Sequence, residues 1–103
     1  MTPIVLICQP GRTPLRVVVG SEPVEIGRDC DGIVLIDSRI SRRHLELRRS
    51  GGDIIATDLG STNGSRVDDV PFTGPHRMQP GEVIRIGGTT ITLGYLPAHD
   101  AAG

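Results

Sequence analysis

With 103 residues the chain has room for one domain around one modest core, and not for two. Its formal net charge of −1 excludes the strongly basic surface of a general nucleic-acid coat, and one Phe, one Tyr and no Trp exclude an aromatic core and a base-stacking platform. Fourteen Gly and eight Pro without a period leave short aliphatic, β-branched runs between many turns, so the expected class is all-β.

Ile4 to Cys8 is a short apolar run, Pro10-Gly11 a turn, and Leu15 to Val19 a second run stopped by Gly20, which together read as a hairpin. Val24-Glu25-Ile26 alternates and stops at Gly27. A polar loop follows, Arg28-Asp29-Cys30-Asp31-Gly32, and then Ile33 to Ile36, which is apolar on both faces and is therefore assigned to the interior. Leu45 and Leu47 alternate with Glu46 and Arg48; after the Gly51-Gly52 turn, Ile54-Ile55-Ala56 continues as the antiparallel partner. Beyond Asn63 the sequence predicts irregular chain anchored by Val67, Val70 and Phe72, with Pro71, Pro75 and Pro80 blocking any helix. Val83 to Ile86 and Thr90 to Leu93, separated by Gly87-Gly88, are the last expected strands. Turn signals recurring roughly every eight to twelve residues predict two packed sheets. Residues 1–96 are expected to form the domain, and 97–103 a flexible tail or the start of a linker.

The start, Met1-Thr2-Pro3-Ile4, lacks the pattern of a secretory signal, and no apolar run approaches a membrane span, so the expected compartment is the cytoplasm with no membrane partner. There Cys8 is expected as a buried thiol and Cys30 as a free one beside a turn, in preference to a disulfide. His76 and His99 are expected at the surface. Three His and two Cys at wide spacings offer no ligand pattern, so no metal and no cofactor are expected.

The chemistry-bearing residues gather in three places: Gly27-Arg28 closing a strand, Ser41-Arg42-Arg43-His44 opening another, and Gly60-Ser61-Thr62-Asn63-Gly64 after a third. Hydroxyls, guanidinium groups and a side-chain amide suit gripping an anion. An enzyme reading would take Ser41 as nucleophile with His44 and Asp58, but there is no Gly-x-Ser-x-Gly elbow and no evident oxyanion donor. All eleven basic residues are Arg, with Arg39, Arg42, Arg43, Arg48 and Arg49 in one stretch, which makes nucleic acid the stronger rival partner. Of these, Arg43, Arg48 and Arg49 read as a solvated charged face.

In order and spacing these residues resemble the forkhead-associated (FHA) domain, whose pattern is Gly-Arg, then Ser-x-x-His, then Asn-Gly. The match runs from about Val24 to Asn63 and fills every one of those positions. The resemblance implies a β-sandwich of two twisted, antiparallel-rich sheets with ligand loops at one end, acting as a non-catalytic phosphothreonine-dependent module in Ser/Thr-kinase signalling. The chemistry agrees, because a phosphate carrying nearly two negative charges wants several charge-assisted donors converging from a fixed backbone. Arg28 supplies a fork of donors, Ser41 a hydroxyl and its backbone amide, Arg42 a second cation, and Ser61 or Thr62 another hydroxyl. Asn63 suits holding the backbone of an extended peptide. Gly27, His44 and Gly64 are assigned structural support of the site, with His44 bracing the phosphate loop. Leu45 after the His and Ser65 after Asn63-Gly64 depart from the family's usual residues without removing a phosphate contact. The expected partner is a phosphothreonine-containing protein or peptide, a Ser/Thr kinase or its substrate, met by a monomer. The Lys-free composition fits a GC-rich bacterial source. The alternatives are phosphorylation-independent protein contact, or nucleic-acid binding through Arg39 to Arg49.

Overall fold

The structure, a computed structural model, describes residues 2–96, so the tail expected over 97–103, with His99, lies outside the described residues. Alternating aliphatic and polar residues make each strand one-sided, and two such faces bury each other. The elements in chain order are β1 (Thr2–Cys8), β2 (Leu15–Val18), β3 (Val24–Gly27), β4 (Ile33–Val34), β5 (Leu45–Ser50), β6 (Asp53–Asp58), β7 (Ser65–Val67), β8 (Val70–Phe72), β9 (His76–Arg77), β10 (Val83–Ile86) and β11 (Thr89–Leu96). They form a six-stranded sheet in the order β2-β1-β11-β10-β7-β8 and a five-stranded sheet in the order β4-β3-β5-β6-β9.

The core lies between the sheets. Val5, Ile7, Ile84, Ile86 and Ile91 come from the first sheet, and Ile26, Leu45, Leu47, Ile54 and Ala56 from the second, all buried. Burying one such aliphatic side chain is worth about 1.5–3 kcal/mol, which is how a core almost without aromatics suffices. The expected central hairpin forms as β5 and β6, with Leu47 opposite Ala56 and Leu45 opposite Asp58. Leu45 and Leu47 point inward while Glu46 and Arg48 do not. β5 begins where the Ser41 loop ends and β6 ends where the Ser61 loop begins, so the hairpin carries both loops to one end of the sandwich.

Several expectations are corrected. Ile33 to Ile36 is not an interior strand. Only Ile33–Val34 forms strand, at the sheet edge and parallel to β3. Leu35 alone is fully buried, while Val34 is 54% and Ile36 70% exposed. Backbone bonds hold the segment instead: Leu35 N–H donates to Gly27 O at 2.8 Å, and Ile36 N–H to Gln9 Oε1 at 3.2 Å.

The chain after Asn63 is not irregular but contains β7, β8 and β9. Asp68 and Asp69, at φ 47° and 69°, make the tight turn between β7 and β8. Pairs of left-handed residues are what two-residue hairpin turns require, and Asp tolerates that region. Pro71 does block a helix, yet it fits the edge strand β8, where a missing N–H costs no ladder bond.

β11 also outruns its expected span, because it pairs with β1 from Cys8↔Thr90 to Thr2↔Leu96. Cys8 is half-buried rather than buried; both it and Cys30 are free thiols. His76 is half-buried against Glu82, with Nε2 3.0 Å from Oε1. Among the described residues no helix is long and apolar enough to cross a membrane.

Candidate functional site

The site is built from the end of β3 and the loops before β5 and after β6. The first two are zipped by backbone: Arg28 N–H donates to Ser41 O at 2.9 Å, and Asp29 N–H to Arg42 O at 3.1 Å. Gly27 makes that approach possible, since a Cβ there would lie 2.0 Å from Arg42 O. Arg28 Nε donates to Ile40 O at 3.1 Å, which ties its guanidinium to the backbone just before Ser41.

His44 is fully buried and joins the two remaining loops. Its N–H donates to Ile26 O at 3.0 Å and its carbonyl accepts Leu59 N–H at 2.9 Å. Its ring does more. Nδ1 accepts Ser41 N–H at 3.1 Å, so that nitrogen carries no proton, and Nε2 donates to Gly64 O at 2.9 Å. The two bonds together select the neutral Nε2–H form and hold the Ser41 loop against the Asn63 loop.

The Asn63 loop is closed on Asp58, whose side chain is 6% exposed. Oδ1 accepts Ser61 N–H at 2.8 Å, while Oδ2 accepts the hydroxyls of Ser61 and Ser65, both at 2.6 Å. Burial raises the Asp58 carboxyl, but the bonds from the Ser61 and Ser65 hydroxyls and from Ser61 N–H outweigh it and hold the group below the usual carboxylate range. Gly64 closes the turn at φ 83°, and its N–H donates to Ser61 Oγ at 3.0 Å.

On this frame sit the outward groups. Thr62 N–H donates to Ser41 Oγ at 2.9 Å, leaving the Ser41 hydroxyl proton to donate outward. Asn63 Nδ2 donates to Arg39 O at 2.9 Å, leaving the amide oxygen for a peptide N–H. Arg28, Arg42, Thr62 and Asn63 are exposed and Ser41 is half-buried. Arg28 and Arg42 have no carboxylate at ion-pair distance among the described residues. Of the expected contacts, the structure thus brings Arg28, Ser41, Arg42, Thr62 and Asn63 to one end of the sandwich.

Two expected donors are turned inward. The backbone amide of Ser41 is taken by His44 Nδ1, and the Ser61 hydroxyl proton goes to Asp58, so neither faces an incoming anion. The triad considered for catalysis does not assemble, because the His44 ring bonds the backbone of Ser41 instead of its hydroxyl, and Asp58 Oδ2 stands 3.8 Å from His44 Nε2.

Sequence reasoning missed the roles of Asp58, Ser65 and the Arg39 carbonyl. An Asp three residues before a Ser is a loop-closing signal that was there to be read. The basic stretch is also less free than its composition suggests. Arg43 grips Glu25 through Nε and a terminal nitrogen, which lowers the Glu25 carboxyl, and Arg39 pairs with Asp37 at 3.0 Å.

Comparison with known proteins gives consistent results. The FHA domain family model matches residues 17–87. FHA domain-containing protein FhaB of Mycobacterium tuberculosis (strain ATCC 25618 / H37Rv) is 40% identical over 82 residues, 79% of this chain and 53% of that protein. FhaA of the same organism is 39% identical over 74 residues, covering 72% of this chain and 14% of the relative. The chain thus spans about half the length of the FhaB relatives it matches. Among solved structures, one concerned with phosphothreonine-dependent FHA domain interactions superposes with a TM-score of 0.78 at 31% identity, covering 94% of this chain and 99% of the other. The FhaA FHA domain complexed with the intracellular domain of Rv3910 gives 0.76 at 31% identity, covering 90% of this chain and 100% of the other.

Proposed function

This chain belongs to the FHA-domain family, and on that premise we propose that it binds a phosphothreonine-containing segment of a partner protein, without catalysis, in signalling driven by Ser/Thr kinases. One observation carries the reading: the Arg28 and Arg42 guanidinium groups and the Ser41 hydroxyl are held at one end of the sandwich on loops already bonded to each other through Thr62 N–H and Ser41 Oγ. A dianionic phosphate meets donors whose backbone is fixed before it arrives, so little ordering entropy is lost on binding. Asn63, anchored by its NH2 to Arg39 O, offers the oxygen that an extended peptide backbone needs. Two solved relatives support the reading: the FhaA FHA domain is complexed with the intracellular domain of Rv3910, and Mycobacterium tuberculosis EmbR is in complex with a low-affinity phosphopeptide. The basic stretch favours no nucleic-acid reading, since Arg39 and Arg43 are neutralised within the chain.

The test is titration calorimetry with a peptide selected from an oriented phosphothreonine library, against the same peptide unphosphorylated. Binding is expected only with the phosphate. Arg28→Ala should weaken it at least about tenfold, because it removes one or two charge-assisted bonds of roughly 1.5–3 kcal/mol each, while the thermal melt is unchanged. Equal affinity for the phosphorylated and plain peptides would refute the function.

A further inference from the structure

The Asn63 loop carries the single Asn of the chain, and Gly64 follows it. An Asn before a Gly is open to a reaction that needs no enzyme, because Gly has no Cβ to shield its amide nitrogen. The Gly64 nitrogen bonds to Asn63 Cγ, the Cγ–Nδ2 bond breaks, and Nδ2 leaves as ammonia with the Gly64 amide proton. Water then opens the resulting succinimide at either carbonyl, leaving Asp or isoaspartate at this position. Asn63 and Gly64 are both exposed, so water and base reach them.

In this loop both partners of that step are already engaged. Ring closure puts Cγ where the Gly64 amide proton now stands, and that proton is directed at Ser61 Oγ, 3.0 Å from the nitrogen. The Ser61 hydroxyl is itself fixed, because its own proton is bonded to Asp58 Oδ2 at 2.6 Å. The leaving nitrogen is held as well: Asn63 Nδ2 donates to Arg39 O at 2.9 Å. On either side, Thr62 N–H is bonded to Ser41 Oγ and Gly64 O to His44 Nε2, both at 2.9 Å. Nucleophile and carbonyl carbon are thus kept out of the attack geometry that such a step needs. Asp58 Oδ2 also accepts the Ser65 hydroxyl, so the carboxylate has a second hydroxyl donor besides Ser61.

We propose that Asn63-Gly64 is a deamidation site held dormant by the Ser61 hydroxyl, and that its reaction disables the phosphothreonine site. The second half rests on the phosphothreonine reading. The acid formed lacks the NH2 that bonds Arg39 O, and it sets a carboxylate beside a site built to attract a phosphate, where like charges repel. Isoaspartate also adds a carbon to the backbone of a loop whose positions the bonds above fix. Ser61, whose hydroxyl proton is turned away from an incoming anion, thereby has a function at the site: it guards the residue that holds the peptide.

The experiment incubates the folded chain, its Ser61→Ala, Ser61→Thr and Ser65→Ala variants, and a free peptide spanning Gly60 to Arg66 in mildly alkaline buffer, well below each variant's melting temperature. Acid formed at position 63 is followed by peptide mapping with mass spectrometry. The parent is expected to react at least about tenfold more slowly than the free peptide, and Ser61→Ala about two- to tenfold faster than the parent, the size of one hydrogen bond. Ser61→Thr keeps a hydroxyl and should stay at the parental rate. Ser65→Ala removes the other hydroxyl on Asp58 Oδ2 but leaves the Gly64 N–H bond, so it should also stay parental, which separates the guard from general loosening of the loop. A parent as fast as the peptide, a Ser61→Ala rate no faster than the parent, or a Ser65→Ala rate equal to that of Ser61→Ala overturns the guard. A rate slower than the parent in Ser61→Ala overturns it too, by making the Asp58–Ser61 pair a base for the step. Deamidated protein, separated by its extra negative charge, should bind the library-selected phosphothreonine peptide at least about tenfold more weakly, the loss of one charge-assisted contact; parental affinity overturns the disabling effect. Absence of phosphate-dependent binding in fresh parent overturns the underlying function instead, and the rates are a separate measurement.

Discussion

His44→Ala is the substitution that best separates the frame of the site from its contacts. The ring is fully buried and bonds Ser41 N–H through Nδ1 and Gly64 O through Nε2, at 3.1 and 2.9 Å. Removing it leaves a donor and an acceptor without partners, at about 1–3 kcal/mol each, and a void where the ring was. Counting the void, which in cores turns aromatic-to-Ala changes into losses of about 3–5 kcal/mol, the total should fall near that upper range. A domain of this size loses about 4–8 °C of melting temperature per kcal/mol, so the melt should drop by more than about 10 °C. Phosphopeptide affinity should fall with it, because the Ser41 and Asn63 loops are no longer tied. Ser41→Ala is the contrast: it removes an acceptor for Thr62 N–H at an accessible position, so stability should change by less than about 1 kcal/mol while affinity drops more. Differential scanning calorimetry on both variants checks this. A His44→Ala melt within about 2 °C of the parent would refute the bracing role.

The remaining predictions concern the carboxylate and the glycine beneath the loops. Asp58 is held below the usual carboxylate range, so it contributes stability that is fully present above the ordinary carboxyl pKa and lost as pH falls through the lower folded value. Asp58→Asn should therefore cost about 1–3 kcal/mol at pH 7, and the gap to the parent in urea midpoints should narrow as pH falls through the acid range; a gap independent of pH would contradict the ionised, hydrogen-bonded state. Gly27→Ala should destabilise by about 2 kcal/mol or more and weaken phosphopeptide binding, because the neighbour its Cβ meets at 2.0 Å is backbone that must move; a variant with parental melt and affinity would show the approach of the two segments to be unnecessary.

Those parts of the fold governed by period and spacing were legible. The β5–β6 hairpin follows from Leu45, Leu47, Ile54 and Ala56 on alternate positions across Gly51-Gly52, and nothing in the tertiary structure competes with it. Ile33 to Ile36 shows where such reading stops. An apolar run states what a segment would gain from burial, but whether it lies inside or at an edge depends on the order of the strands, and here β4 is last in its sheet. The β7–β8 hairpin was hidden because its turn is Asp68-Asp69 without a Gly, and because Pro71 reads as a breaker until the strand is known to be an edge. Residue types and order singled out Arg28, Ser41 and Asn63, which the structure brings to one end of the sandwich. They left open where each donor points. Ser61 and the Ser41 amide have the right chemistry for a phosphate and are spent inside the protein, a choice made by Asp58 and His44 from the far side of the loops.

That division of labour explains how the site can hold its cations ready. The polar groups facing inward, His44, Asp58, Ser61 and Ser65, satisfy one another and the loop backbone, so both loops keep their shape without a ligand. The one buried carboxylate of the frame is bound to hydroxyls and an amide, not to an arginine, which leaves Arg28 and Arg42 uncompensated at the surface. Had Asp58 been paired with either of them, the loop would be as rigid but the charge that attracts a phosphate would be cancelled. Rigidity comes from neutral donors and attraction from unpaired cations, and the two are carried by different residues only because the frame uses serines where an ion pair would also have fitted.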